Sequence, residues 1–313
     1  MPTHVEERVA PRTYLNKRRH IDAETRASRS RATDYWDLIK PEITFLVGIA
    51  SLAGFFLASG GAVDIALLIS TLIGVTLAAA GGGVLNHVIE RDLDAKMKRT
   101  ATRPLPSKRV SPGLAGVSGV MLIAAGVVVL FTKVNVLTAA LAAATALGYL
   151  CVYTPLKTRT KYNTIVGCVP GALPALGGWT AATGSVDVGG LVLFAILFAW
   201  QMPHFLSLAW MYRKDYEKAN FVMLPVVEPD GRSTGVQTLA FTIILVLLSV
   251  VPFALGLTGL LYLIGTLAVG AFFLAAAYRF YRSLANGAAR KVLLASVVYI
   301  PVLVAAILLD QLV

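Results

Sequence analysis

The chain has 313 residues, 57% of them hydrophobic and 14% charged, with a net charge of +11 and a mean hydropathy of +0.72. Soluble globular domains carry about 25% charged residues, so the composition excludes one and describes a polytopic membrane protein. The basic excess alternates with apolar segments, which makes it a topology signal and excludes nucleic acid as its partner.

Residues 1–35 are polar, rich in Arg, Ser and Thr, and contain no apolar run. They predict a disordered basic cytoplasmic arm lying near anionic lipid. A cleaved organellar presequence is the second reading, and Glu6, Glu7, Asp22 and Glu24 fit it poorly because such leaders are poor in acids.

Nine apolar stretches follow, near 43–60, 65–85, 113–131, 136–153, 164–182, 188–210, 236–257, 259–278 and 292–309. Each is long enough, or nearly so, to cross roughly 30 Å of hydrocarbon as a helix. Every Lys and Arg except Lys133 then falls on one side of the membrane, which predicts a cytoplasmic N-terminus. The expected fold is therefore all-α, a helical bundle of about nine transmembrane helices, with residues 36–313 as a single domain. Cys151 and Cys168 both lie in apolar surroundings without metal or disulfide spacing, and read as buried structural thiols.

The second span leads into the densest charge cluster of the chain, Asn86 to Arg109: NHVIERDLDAKMKRTATRPLPSKR. If the span continues as a helix through Asp94, then Asn86, Glu90 and Asp94 fall within an arc of roughly 80° at about 100° per residue. Asp92 points nearly the opposite way. Gly82 and Gly83, one turn earlier, leave open space beside this column, and His87 lies about 20° from Asp94, at its rim. Stacked carboxylates repel unless a cation sits among them, and oxygen donors without Cys or His suit Mg²⁺. Lys96, Lys98, Arg99 and Arg103 could then hold phosphate charge. The alternative is an interfacial charge network set by topology.

The sixth span ends WQMPHFLSLAWMYRKDYEKANFVMLPVV. If it stays helical past Pro203, then His204, Leu208, Met211 and Asp215 form one stripe, because 11 residues return within about 20° of the start. Asp215 would sit at the interface and His204 roughly 16 Å deeper. A His at that depth is either a hydrogen-bonded core residue or part of a pocket. Lys157, Arg159 and Lys161, just beyond Tyr153 and Pro155, form a third basic cluster, read either as topology or as anion contacts.

The Asn86–Asp94 run, an Asn with acids four and eight residues on, resembles the first motif of the UbiA-type intramembrane prenyltransferases. Within that superfamily KMKRTATRPLPSKRVSP, YTPLKTRTKYNTIVGCVPGALPALGGW and MPHFLSLAWMYRKDYEKANFVMLPVV are similar to the heme-modifying branch, the protoheme IX farnesyltransferases or heme O synthases. These runs cover much of residues 36–235. The resemblance implies transfer of a farnesyl group from farnesyl diphosphate to a vinyl group of heme B, with addition of water, giving heme O. It implies Mg²⁺ bound with the diphosphate through Asn86, Glu90, Asp94 and Asp215. Arg99 and Arg103 join them as catalytic residues, and Tyr153, Lys157, Arg159, His204 and Lys214 become substrate contacts. It further implies heme A synthase or oxidase assembly proteins as downstream partners. The absence of a clear transit peptide favours a bacterial inner membrane, with the mitochondrial inner membrane as second reading. Two departures stand out: His87 replaces an Asp common in the superfamily, and the second motif around Asp215 is poor in acids. A prenyltransferase acting on an aromatic quinone precursor is the alternative. A transporter is more remote, because coupling acids in transporters usually sit near the midplane, whereas these sit at one interface.

Overall fold

The structure, a computed structural model, describes residues 30–311. Among them nine helices are long and apolar enough to cross a membrane. A short helix α1, Arg31–Leu38, precedes them. The spans are α2 (Pro41–Ser59), α3 (Ile65–Asp94), α4 (Pro112–Lys133), α5 (Val136–Leu156), α6 (Asn163–Thr183) and α7 (Val188–Met211). Two short helices, α8 (Arg213–Lys218) and α9 (Leu224–Val227), connect them to α10 (Arg232–Ala254), α11 (Leu260–Ser283) and α12 (Asn286–Asp310). The expected all-α, nine-span membrane bundle is what is found.

Side chains fix several helix starts. Asp64 Oδ1 accepts from the Leu67 amide at 3.0 Å and Asn135 Oδ1 from the Thr138 amide at 2.8 Å, each satisfying a donor with no intrahelical partner. Ser30 caps α1 in the same way, through the Thr33 amide. The first 29 residues of the expected arm lie outside the described residues. Its last positions are not free chain: residues 31–35 are helical, and both carboxylate oxygens of Asp34, 4% exposed, accept from Arg109 Nε, at 2.9 and 3.1 Å. A buried ion pair with the loop after α3 ties this stretch to the bundle.

Close helix packing rests on small residues, as is usual where lipid supplies no hydrophobic drive. The α3–α4 crossing is lined by Gly74 and Gly81 facing Gly126 and Gly119. A Cβ on Gly126 would lie 2.5 Å from the Gly74 carbonyl oxygen and 2.7 Å from the Ala78 nitrogen. Backbone cannot retreat as a side chain can. Gly126→Val is therefore expected to lower stability by about 1–3 kcal/mol, the cost of overpacking, read as a lower denaturation midpoint in detergent.

The main apolar core lies between α2, α6, α7, α11 and α12, around Trp200, Phe273, Tyr299 and Ile300. Some buried polar groups find partners inside it: Trp200 Nε1 donates to the Ser296 carbonyl at 2.8 Å, and the Ser249 and Tyr299 hydroxyls meet at 2.6 Å. Cys168 is buried as expected, but Cys151 is exposed. It lies in a π-helical turn, Gly148–Tyr153, within α5.

Two helix ends decide where the chemistry can sit. At 30 residues, α3 is about 45 Å long at 1.5 Å per residue, so its last turns overrun roughly 30 Å of hydrocarbon. The sixth span α7 continues past Pro203 but stops at Met211, where Tyr212 leaves helical geometry (φ −105°, ψ 16°). The expected stripe from His204 to Asp215 is thus broken. Asp215 belongs to the separate helix α8, and its direction is no longer set by the register of α7.

Candidate active site

The single helix α3 carries Asn86, Glu90 and Asp94 on one buried face, 1%, 5% and 1% exposed. Asp92 points away, with a side chain 84% exposed beside Arg91. Each member of the column meets its own cation. Lys40 Nζ donates to Asn86 Oδ1, Lys157 Nζ to Glu90 Oε1 at 2.7 Å, and Arg103 Nη1 to Asp94 Oδ2 at 2.8 Å. Asn86 Nδ2 also donates to Thr154 Oγ1 at 3.0 Å. Two carboxylates against three cations leave the face with a positive excess, before the neighbouring Arg99 is counted.

Lys40 was counted by sequence reasoning only as a topology charge. Pro41 disfavours the right-handed helical region for the residue before it, which keeps Lys40 from extending α2 backwards but does not itself select the left-handed region. Lys40 takes the left-handed region instead (φ 50°, ψ 66°), a conformation costing of order 1–3 kcal/mol for a non-glycine residue. That turn swings its side chain back over α3. Gly83 makes room for it: a Cβ there would lie 3.2 Å from the Ile39 carbonyl oxygen. The space beside Gly83 is therefore filled by the chain that delivers Lys40, and is not open as the wheel suggests.

The π-turn of α5 adds a second wall. Tyr149 and Tyr153 stack at 5.9 Å. Lys40 Nζ donates to the Tyr149 hydroxyl at 3.3 Å, and Lys157 Nζ lies 4.7 Å from the centre of the Tyr153 ring. Inserted π-turns of this kind are frequent at functional sites. Burial is the largest influence on Lys157 and opposes its charge, but Tyr153 and Glu90 together outweigh it and raise its pKa above the ordinary lysine value. Lys157 is a fixed cation at neutral pH.

The loop after α3 closes the end of the column. Thr100 Oγ1 donates to the Asp94 carbonyl at 2.8 Å, capping a group the helix leaves unpaired. Arg109 holds the far side of the loop to Asp34. Arg99 projects toward α8, with its guanidinium 4.8 Å from the Tyr212 ring centre and 6.0 Å from that of Tyr216. It also donates to the Tyr216 hydroxyl at 3.3 Å. These aromatic contacts, with Met97 packed against Phe221 and Tyr216, bring the two distant motifs together.

His87 was expected at the rim and is instead 2% exposed. Its Nδ1 lies 3.9 Å from Asp94 Oδ2, and neither ring nitrogen has a hydrogen-bond partner among the described residues. Within α7, His204 Nδ1 pairs with Ser296 Oγ at 2.8 Å, and its ring stacks on Trp200 at 5.3 Å. This leaves Nε2 as the nitrogen free for an incoming group. His204 lies seven residues from the end of α7, about 10 Å along the helix.

Not every candidate joins the column. Arg159 and Lys214 are exposed and form no side-chain hydrogen bond among the described residues. Asp215 is half-buried on α8, and its carboxylate pairs with no other side chain among the described residues. Among the described residues no three or more Asp, Glu, His or Cys side chains gather as a metal cage. The donor set nonetheless fits Mg²⁺ as that ion is commonly held: one or two carboxylates with the remaining positions from water and phosphate. Asn86, Glu90 and Asp94 are hard oxygen donors on one face, and the cations around them would accept the phosphate charge.

The sequence profile of the UbiA prenyltransferase family matches residues 47–300. A relative from Salinibacter ruber named protoheme IX farnesyltransferase is 52% identical over 277 residues, covering 88% of this chain and 98% of its own. One of the same name from Solibacter usitatus is 45% identical, covering 89% and 98%. Among solved structures, a digeranylgeranylglyceryl phosphate synthase superposes with a TM-score of 0.74 at 19% identity, over 90% of this chain and 98% of that one. A UbiA homolog from Archaeoglobus fulgidus bound to GPP and Mg²⁺ gives 0.64 at 14% identity, over 88% and 99%.

Proposed function

The chain belongs to the UbiA prenyltransferase family, and we propose that it transfers a farnesyl group from farnesyl diphosphate to a vinyl group of heme B, yielding heme O. One observation carries the reaction class: a buried face of three oxygen donors, each matched to its own cation, at the end of a membrane helix. The acceptor rests on the names borne by relatives similar over nearly their whole length.

In this reading Lys40, Lys157 and Arg103 exchange their carboxylate and amide partners for diphosphate oxygens, and Arg99 adds a further contact. Asn86, Glu90 and Asp94 would hold Mg²⁺ bound with the diphosphate, with Asp215 reaching in from α8; the ion would supply neutralisation of charge growing on the leaving group. The cations act in the same sense, stabilising charge where it develops. The farnesyl C–O bond breaks with its electron pair leaving on the diphosphate. The apolar spans keep water from the allylic cation until the vinyl carbon attacks it. The cation then formed beside the porphyrin takes up water and loses a proton, leaving the hydroxyethylfarnesyl group of heme O.

His204 supplies a heme contact through Nε2, as axial ligand or as a partner for a propionate or water. His204→Ala is the check: loss of activity with an unchanged heme absorption spectrum would rule out the axial role. Heme O made here would pass to heme A synthase or to terminal oxidase assembly in the inner membrane of a bacterium, in keeping with the bacterial sources of the relatives.

The acceptor is tested by offering the purified protein farnesyl diphosphate and Mg²⁺ with either heme B or 4-hydroxybenzoate. Prenylation of heme B alone is the expected result. Prenylation of the aromatic acid alone would move the chain to a quinone-precursor branch of the same family.

A further inference from the structure

We propose that the outer groove between α10 and α11 is a binding site for an anionic phospholipid, with the phosphate held at the charged end of the bundle and one acyl chain running down the groove. The two helices are antiparallel and pack on each other. At the end shared with the active site, Arg232 of α10 faces Tyr281 and Arg282 of α11 across a cleft of about 380 Å³ closed by Leu284. Gly235 permits the close approach here, since a Cβ on it would lie 3.1 Å from Leu284 and 3.4 Å from the Tyr281 Cα.

A second cleft of about 480 Å³ continues along the same helix pair and is apolar, with Leu239 and Ile243 opposite Ala275 and Ala271. From Arg232 to Ile243, and equally from Arg282 to Ala271, is 11 residues, or roughly 16 Å along each helix. A polar cleft with two guanidinium groups thus lies on the same face of the helix pair as an apolar cleft one to three turns further along, the pair spanning an acyl-chain length. Ile243 and Tyr278 are 42% and 50% exposed, so the groove faces the lipid.

The charges are available for a ligand. Neither Arg232 nor Arg282 has a carboxylate partner among the described residues, and Arg282 Nη1 makes only a 3.5 Å contact with the Tyr278 hydroxyl. Asp230, two residues before Arg232, turns a carboxylate oxygen to the Arg232 backbone amide at 3.3 Å. Basic pockets between membrane helices match anionic headgroups in this way. The groove is also remote from the acid column: α3 packs mainly on α4, α2 and α5, while α10 and α11 pack on each other and on α7 and α12.

The test is native mass spectrometry of the full-length protein in mild detergent, titrated with phosphatidylglycerol and with phosphatidylcholine of matched chains. Phosphatidylglycerol is expected to bind more tightly. The double variant R232Q/R282Q should lose roughly 30-fold in its affinity, the effect of two cationic side chains at an anionic headgroup, with phosphatidylcholine, whose phosphate is offset by its own choline cation, affected much less. Ile243→Trp, which fills the groove and leaves both arginines in place, should weaken both lipids. Equal binding of the two lipids to the wild-type protein, or unchanged phosphatidylglycerol binding in R232Q/R282Q, would overturn the proposal. One-for-one displacement of phosphatidylglycerol by farnesyl diphosphate would also overturn it and assign the groove to the prenyl donor.

Discussion

Asp94→Asn is expected to lower kcat by about 10²–10³-fold, the loss typical when one preorganised electrostatic contact to developing charge is removed. The substitution keeps the shape of the side chain, and the amide oxygen can still accept from Arg103, so the fold should stand. What goes is one of only two negative charges on the buried face, and with it the affinity for a divalent ion. Asp92→Asn is the internal control. It lies two residues away on the same helix, with an exposed side chain, and should leave kcat unchanged. Steady-state prenylation by the two variants, each checked for an unaltered unfolding midpoint, distinguishes the face from the mere density of acids.

Lys157→Met should have two separable effects. Lys157 and Glu90 form an ion pair with side chains 15% and 7% exposed. Removing the lysine leaves a buried carboxylate unpaired, which costs about 3–5 kcal/mol. Replacing both partners, as Glu90→Gln with Lys157→Met, removes the stranded charge and should restore most of that stability. Activity should behave otherwise: it falls about 10²-fold or more in the single variant and is not rescued in the double. Recovery of both stability and turnover in the double variant would make the pair a structural strut and remove Lys157 from the diphosphate site.

Much of this arrangement was legible in the sequence because helical periodicity is a local property. The nine spans follow from apolar length, and the buried Asn86–Glu90–Asp94 face with Asp92 outside follows from 100° per residue once α3 is continued. What was not legible depends on breaks in that periodicity. The stripe from His204 to Asp215 fails because the helix ends at Tyr212. Tyr149 reaches Lys40 from a π-turn that a regular wheel does not contain. Cys151, in that same turn, was read as buried and is exposed.

Lys40 was hidden for a different reason. As the last base before the first span it has a sufficient explanation in topology, and nothing in its neighbours shows that a left-handed turn folds it onto Asn86. The one available signal was Pro41, which bars the residue before it from continuing a helix. His87 carried a stronger hint, since its angle on the wheel already placed it beside Asp94. Its burial comes from the loop and α5 closing over α3, which no property of α3 alone could announce.

The most direct test combines the purified protein with heme B, farnesyl diphosphate and Mg²⁺, and follows heme mass and diphosphate release together in the wild type and in Asp94→Asn. The account predicts a farnesyl-plus-water mass gain matched one for one by diphosphate in the wild type, with both falling together in the variant. No mass gain in the wild type, or an equal gain in Asp94→Asn, would contradict it.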